Sequence, residues 1–281
     1  MDACTFFDYL SPVNEYDATN PRLHELHRET FRAGSKTYFN SSRFFPRRVR
    51  ADVYILYGFV RVADNLVDQV PQDRIGFEEF VARYRRAVRG EIIGDIIIDS
   101  FVELSRRRSF DPDWAEAFLR SMRMDLDKHV HATLPETLEY VYGSAEVIGL
   151  FMGRIMDLPP RAERHACLLG RAMQFINFIR DIDEDNRLGR IYLPISETPL
   201  SNLERSTVIA EEELFLTFIR KQLDRYREWQ TEAEEGYDLI PRRYRIPIKT
   251  AGDMYNWTAR QIAGNPMEER PFSSARRSAL R

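Results

Sequence analysis

Apolar residues recur at three- and four-residue spacing along most of the chain, and this periodicity constrains the fold more than any other feature of the sequence. Glycine and proline, which interrupt helices, number only 13 and 14 among 281 residues. Because strands would show strict alternation instead, the pattern predicts an all-α fold. Helices are expected at residues 21–40, 46–69, 77–89, 95–108, 112–131, 136–157, 161–186, 207–235 and 246–263.

No linker and no repeat of fixed period divides the chain, so a single helical domain is expected over residues 1–270. Residues 271–281 have no apolar face and are expected to form a mobile C-terminal tail. The formal charge of −3 provides neither a basic surface for nucleic acid nor an acidic tail, so no nucleic-acid partner is expected.

The location of the protein is indicated by its cysteines and by its apolar segments. Cys4 and Cys167 make neither a metal quartet nor a disulfide framework, which favours a reducing cytosol. Residues 1–10 lack the pattern of a secretory signal, and no apolar run is long enough for a spanning helix. We therefore expect a cytoplasmic protein, soluble or at most peripheral to a membrane, while the sequence leaves its oligomeric state open.

The first candidate site is a doubly acidic stripe on the predicted helix 46–69. Asp64 and Asp68 are four residues apart, which places their carboxylates about 6 Å apart on one helical face, with Arg61 one turn earlier. Stacked carboxylates repel each other unless a cation lies between or opposite them. Mg²⁺ suits such a pair, because it binds one or two carboxylates together with waters and substrate phosphates.

A second acidic cluster lies near the end of a later apolar helix. Asn177, Asp181 and Asp185 follow one another at four-residue intervals, so three oxygen ligands would line one stripe. Acids at a helix C-terminus oppose the helix dipole, and a bound cation would remove that cost. An isolated pair of this kind is usually a solvated face. Two such clusters in apolar helices, each with an adjacent arginine (Arg61 and Arg180), instead indicate a diphosphate site.

Two other features bear on the presence of a zinc site or a nicotinamide cofactor, and neither site is favoured. Asp125 and His129 share a helical face within residues 125–131, but no third ligand with suitable spacing follows, so a solvated helix end is favoured over a zinc site. No GxGxxG loop follows a strand, which argues against a nicotinamide cofactor bound by a Rossmann domain.

The acidic motifs and their surroundings resemble the squalene/phytoene synthase family, in particular its prokaryotic phytoene synthase branch. The similarity extends over about residues 20–260, and the two acidic motifs in this order, with the Arg190-Ile191-Tyr192-Leu193-Pro194 segment after the second, are highly specific. One departure is Glu146, where the family usually has a small residue. The segments that carry the resemblance are 35–39, 45–46, 57–68, 140–143, 169–185 and 189–194.

The resemblance implies a single-domain isoprenoid synthase helical bundle, with the two acidic motifs facing each other at the mouth of a central apolar cavity. It also implies Mg²⁺ as cofactor, about three ions per active site with substrate bound, with Mn²⁺ as a possible substitute. The metal ligands would be Asp64, Asp68, Asn177, Asp181 and Asp185. The substrate-binding residues would be Ser35, Arg61, Tyr140, Gln174, Asn177, Arg180, Arg190 and Tyr255. The catalytic residues would be Asp64, Asp68, Asp181, Asp185, Arg61, Tyr57 and Tyr192.

The implied substrates are isoprenoid diphosphates. Two geranylgeranyl diphosphates would condense head to head through a cyclopropyl diphosphate, prephytoene diphosphate, to phytoene, with release of diphosphate. A squalene or dehydrosqualene synthase acting on farnesyl diphosphate stays open, because cavity depth sets chain length and formation of squalene needs a reductant. A non-catalytic scaffold relative would typically lack one cluster, and a terpene cyclase or head-to-tail prenyltransferase would have a different second motif. The lipophilic product makes peripheral membrane contact plausible.

Overall fold

The structure, a computed structural model, describes residues 42–267. The predicted helix 21–40, the candidate ligand Ser35 and the predicted tail 271–281 lie outside these residues. Within the described range the chain is helical and has no strand, and the only extended pairing there is a single parallel bridge between Val130 and Ile191. The prediction of an all-α fold is confirmed.

The α-helices of the described residues follow one another through short connections, except for the longer segment between Arg187 and Arg205. They are α1 (Arg47–Asp68), α2 (Arg74–Val88), α3 (Ile96–Arg107), α4 (Pro112–Asp127), α5 (Leu134–Val141), α6 (Val147–Ile155), α7 (Glu163–Arg180), α8 (Ile182–Arg187), α9 (Arg205–Ala210), α10 (Glu212–Glu235) and α11 (Arg242–Gly264). A π-helical turn joins α5 to α6 at Tyr142–Glu146, and 3₁₀ turns lie at Pro160–Ala162, Ile195–Glu197 and Gly236–Leu239.

Several predicted helix ends move, and local hydrogen bonding explains two of the shifts. Helix α2 begins at Arg74 rather than at residue 77, because the Asp73 carboxylate caps it by accepting from the Gly76 amide at 2.8 Å. Helix α4 ends at Asp127 rather than at residue 131. The chain becomes extended after it, and the His131 amide donates to the Ile191 carbonyl at 2.8 Å.

The predicted helix 136–157 is interrupted by the π-helical turn, which packs closely on α4. A Cβ added to Gly143 would lie 2.2 Å from the Ala117 carbonyl oxygen and 2.3 Å from Ser121 Oγ. Glu146, the departure from the family pattern, is also in this turn and is buried. Its carboxylate accepts a hydrogen bond from Arg171 Nε at 2.7 Å, so the buried acid has a charged partner.

Two further predicted helices are divided. The helix predicted at 207–235 breaks at Glu211, between α9 and α10. The helix predicted at 161–186 breaks at Asp181, whose backbone angles of −103° and 16° leave helical geometry. Asp185 therefore lies in the first turn of α8 rather than at a helix C-terminus, and there the helix dipole favours an acid.

The buried apolar residues form two clusters, and each cluster supports one acidic motif. The first surrounds α1, where the ring of Phe59 stacks on that of Phe101 with centroids 3.8 Å apart. The second contains Phe175 and Ile179 of α7, a helix that packs along α10. The acidic motifs occupy the C-terminal end of α1 and the junction of α7 with α8. The central cavity between the helices stays a prediction.

Candidate active site

The first acidic motif occupies the last two turns of α1. Ala63 and Val67 are fully buried in the first core cluster, while Asp64 and Asp68 remain partly exposed. Asp64 Oδ2 accepts from Arg61 Nη1 at 2.7 Å, as the spacing on one helical face predicts. Asp68 Oδ1 instead accepts from a distant residue, Arg190, whose Nη1 lies 2.8 Å away.

The second motif surrounds the break between α7 and α8. The Asp181 carboxylate accepts two hydrogen bonds from the guanidinium of the preceding Arg180, at 2.8 Å and 2.5 Å. Asn177, one turn earlier, donates through Nδ2 to Gln174 Oε1 at 3.4 Å. Its Oδ1 is buried and accepts no hydrogen bond from any of the described residues. A buried acceptor of this kind costs free energy unless a donor or a cation satisfies it.

Arg190 brings the two motifs together. After α8 the chain reverses at Gly189, whose φ of +71° suits glycine, and the Arg190 amide then donates to the Asp185 carbonyl at 2.8 Å. The Arg190 guanidinium, itself buried, donates to Asp68 and, through Nη2, to the Val67 carbonyl at 2.7 Å. Asp185 and Asp68 are thus neighbours of the same arginine.

The electrostatic neighbours of Asp185 include acidic groups from both motifs. Burial raises the pKa of the Asp185 carboxyl well above its usual range, and Asp181 raises it further. Arg190 acts in the opposite direction, while Asp125 and Asp68 add to the rise. Such an accumulation of partly buried negative charge favours either protonation or a bound cation.

A third carboxylate, Asp125 of α4, lies in the same region, and its interpretation as part of a solvated helix end was wrong. It is 2 % exposed and accepts from Tyr140 Oη at 2.8 Å and from Tyr192 Oη at 2.6 Å. Burial raises its pKa to about 6, against the opposing effect of Arg190. The signal in the sequence is its spacing, because Asp125 continues the buried stripe of Phe118 and Met122.

His131 is the second residue of that segment that proves to be buried. Its Nδ1 lies 3.2 Å from the Glu136 carbonyl, which can only accept, so Nδ1 carries the hydrogen. Burial lowers the pKa of the imidazole, which favours the neutral form. The ring packs against Tyr140 and Tyr192, with centroids 5.2 Å and 5.5 Å away. His131 therefore supports the tyrosine pair.

The remaining predicted site residues are distributed around this centre. Tyr57 lies one turn before Arg61 on α1. Burial raises the pKa of its phenol to about 12, while Arg61 lowers this pKa and Asp64 raises it by smaller amounts. Gln174 contacts Asn177 on α7. Tyr255 of α11 is buried in the second core cluster, and its position relative to the acidic motifs stays a prediction.

The described residues contain no group of three or more histidine, cysteine or acidic side chains gathered closely enough to enclose a metal ion. The candidate metal ligands are side-chain oxygen atoms at two separate helix ends. No helix in residues 42–267 is both long enough and apolar enough to span a bilayer.

The fold is that of the helical isoprenoid synthases. The structure superposes on a squalene synthase from Alicyclobacillus acidocaldarius with a TM-score of 0.78 and 23% identity, covering 87% of this chain and 95% of that one. A dehydrosqualene synthase gives a TM-score of 0.75 at 21% identity, covering 91% of this chain and 90% of that one. At these identities the likeness shows the fold.

Sequence comparison identifies the family. Residues 31–279 match the profile of the squalene/phytoene synthase family, and the chain belongs to that family. The 15-cis-phytoene synthase of Pantoea ananas is 29% identical over 252 residues, which span 84% of this chain and 81% of that protein. The phytoene synthase of Arthrospira platensis is 28% identical over 276 residues, spanning 91% and 88%.

Proposed function

We propose that the protein is a Mg²⁺-dependent head-to-head prenyltransferase that condenses two geranylgeranyl diphosphates to phytoene through a cyclopropyl diphosphate. The family and the names of the curated relatives support the reaction and the substrate. The observation that carries the proposal is Arg190, which bonds to Asp68 of the first motif through its side chain and to Asp185 of the second through its backbone. This contact places the two acidic helix ends beside each other, which supports binding of one diphosphate between them.

The residues present fit Mg²⁺. The donors are oxygen atoms, the buried Asn177 Oδ1 has no hydrogen-bond partner among the described residues, and burial and neighbouring acids raise the pKa of Asp185. A set of few carboxylates at each helix end suits an ion that completes its shell with phosphate oxygens and water. When bound, Mg²⁺ neutralises the diphosphate and polarises its allylic C–O bond. The ligands would be Asp64, Asp68, Asn177, Asp181 and Asp185.

Two arginines are placed to exchange partners when substrate binds. Arg61 donates to Asp64 and Arg180 donates to Asp181, so in each motif a guanidinium holds the carboxylate that is expected to bind the metal. If a cation were bound by the carboxylates, the two guanidinium groups would be available to phosphate oxygens, which guanidinium groups bind in bidentate fashion. Arg190 donates to Asp68 and to the Val67 carbonyl and so joins the motifs, and its role in binding the diphosphate stays part of the proposal.

The aromatic residues would protect the cation formed when the C–O bond breaks. Tyr192 stacks on Phe178 with centroids 4.6 Å apart, and Tyr140 lies 4.9 Å from Tyr192. Aromatic faces and phenol oxygens stabilise positive charge, and their apolar surroundings exclude the water that would trap it. The second substrate's double bond would then attack the allylic carbon, and loss of a proton from that carbon would close the ring of the cyclopropyl diphosphate.

The deciding experiment is incubation of the purified protein with geranylgeranyl diphosphate and Mg²⁺, with the hydrocarbon identified by mass. Parallel reactions use farnesyl diphosphate with and without NADPH. Phytoene in the first reaction supports the proposal, and omission of Mg²⁺ should abolish it. Failure to form any hydrocarbon from either substrate would contradict it.

Squalene or dehydrosqualene formation from farnesyl diphosphate is the second candidate, because the solved structures with the same fold carry those names. Product only from farnesyl diphosphate, with or without dependence on NADPH, would favour it. A scaffold without catalytic activity is a poorer candidate, since both acidic motifs are complete.

A further inference from the structure

Asp125 is a buried carboxylate that belongs to neither acidic motif. Each of its two oxygens accepts one phenol hydrogen, Oδ2 from Tyr140 at 2.8 Å and Oδ1 from Tyr192 at 2.6 Å. A carboxylate removed from water is costly unless hydrogen bonds and a nearby cation compensate it, and the Arg190 guanidinium supplies that charge. The arrangement leaves neither carboxylate oxygen without a donor.

These two hydrogen bonds determine what the tyrosines can offer to a substrate. A phenol has one hydrogen to donate and lone pairs with which to accept. Because both hydrogens are directed at Asp125, Tyr140 and Tyr192 can act toward any other group only through their oxygen lone pairs. Tyr192 uses part of this capacity to accept from Arg190 Nη1 at 3.4 Å.

Other contacts hold the backbone and the rings of the two tyrosines. The Tyr140 carbonyl accepts from Ser121 Oγ at 2.9 Å, and the Tyr192 carbonyl accepts from Thr137 Oγ1 at 2.8 Å. The two rings pack on each other and on His131. With backbone and ring fixed, the direction of each O–H bond is the freedom that remains, and Asp125 determines it.

We propose that Asp125 is a positioning residue that turns the hydroxyl hydrogens of Tyr140 and Tyr192 away from the substrate, so that oxygen lone pairs face the allylic cation. The inference rests on the proposed function and adds to it a group outside both motifs. Arg190 links Tyr192 Oη to Asp68, which places the phenol beside the acidic centre. Lone pairs oriented before the reaction stabilise developing positive charge without reorganisation, whereas a hydroxyl hydrogen in that position would repel it.

The first test is Asp125→Asn, assayed with geranylgeranyl diphosphate and Mg²⁺. An amide accepts only through its oxygen, so one of the two phenols must redirect its hydrogen. We expect kcat to fall by about 10- to 100-fold while KM changes by less than about 3-fold, because orientation rather than binding is lost. The matched control is Asp127→Asn at the same end of α4, where the side chain is 55% exposed and pairs with Arg74. It should retain wild-type kcat.

The second test separates positioning from a structural role and also serves if Asp125→Asn alone proves unstable. Tyr140→Phe/Tyr192→Phe is compared with the triple variant that adds Asp125→Asn. If Asp125 acts through the two hydroxyls, the triple variant has the kcat of the double variant. A further fall in the triple variant, or an unchanged kcat in Asp125→Asn, overturns the inference. An inactive wild type would instead overturn the proposed function.

Discussion

Arg190 illustrates how one residue can determine the behaviour of a whole site. Its guanidinium is 5% exposed, and it donates to Asp68, to the Val67 carbonyl and to Tyr192 Oη. Removal of a partner from a buried charge is costly, since the charge stays behind without compensation. Substitution of Asp68 therefore has two effects, one on the chemistry and one on stability.

Asp68→Asn is expected to lower kcat by at least about 100-fold, because a carboxylate ligand of the diphosphate site is lost. Its free energy of unfolding should fall by about 1–2 kcal/mol, because Arg190 loses its charged partner. Relief of repulsion between Asp64 and Asp68 offsets little of this, since each carboxylate already has its own arginine. Steady-state kinetics and urea unfolding measure the two effects. Unchanged turnover would contradict the metal assignment.

Asp125 makes stability depend on pH in a direction that can be measured. Its pKa in the folded protein is about 6, above the ordinary value of 3.8, so the folded state binds more protons between these values. Its contribution to stability is therefore full below about pH 4 and is lost as the pH rises through 6. Relative to Asp125→Asn, the wild type should lose about 2 kcal/mol between pH 4.5 and 7.5. Urea unfolding at both pH values gives this difference, and a difference that stays constant would refute the assignment.

At the scale of secondary-structure elements, the sequence predicts some boundaries well and others poorly. Helix α1 was predicted at 46–69 and lies at Arg47–Asp68, because prolines at positions 46 and 71 mark both ends. The break at Asp181 was not predicted, since the apolar spacing of Ile176, Ile179 and Ile182 continues through it. A break that preserves periodicity carries no signal in a single sequence.

The same limit explains which part of the site could be predicted. Arg61 and Asp64, three residues apart, are a pair that helical spacing identifies, and Arg180 and Asp181 are adjacent in the sequence. Asp125, in contrast, meets Tyr192 only because the fold brings together residues that are 67 positions apart. Helical periodicity places Asp125 on a buried face, but it does not predict which residues donate the hydrogen bonds that a buried carboxylate requires.

The π-helical turn between α5 and α6 leads to a test with a matched pair of substitutions. Gly143→Ala should destabilise the protein by about 1–3 kcal/mol, because the added Cβ meets the Ala117 carbonyl oxygen at 2.2 Å. Gly153→Ala, in α6, should instead stabilise it by about 0.5–1 kcal/mol, since nothing lies within 4 Å and alanine favours a helix. Chemical unfolding compares both variants with the wild type. Equal effects of the two substitutions would contradict the close packing of the turn on α4.

At the scale of the whole molecule, two apolar clusters stabilise the helices while their polar ends meet in a centre rich in negative charge. Asp181, Asp125 and Asp68 each raise the pKa of Asp185, and the cation that opposes them is Arg190, which also donates to Asp68. Hydrogen bonds from Tyr140 and Tyr192 stabilise the negative charge of Asp125, and the raised pKa of Asp185 favours its protonated, neutral form. Binding of a cation to this centre should therefore change both the stability of the folded protein and the protonation of the acidic side chains.

Mg²⁺ with inorganic diphosphate is expected to raise the melting temperature of the wild type by several degrees, because ligands that bind only the folded state stabilise it. The rise should be larger at pH 8 than at pH 6. At the lower pH a proton on Asp185 competes with the metal, since burial raises the pKa of that carboxyl. Differential scanning fluorimetry measures both values.

In Asp185→Asn the stabilisation should be smaller and should lose much of its pH dependence, whereas Asp127→Asn should behave as the wild type does. Equal stabilisation of wild type and Asp185→Asn at both pH values would exclude Asp185 as a ligand, because no competing proton would then be displaced.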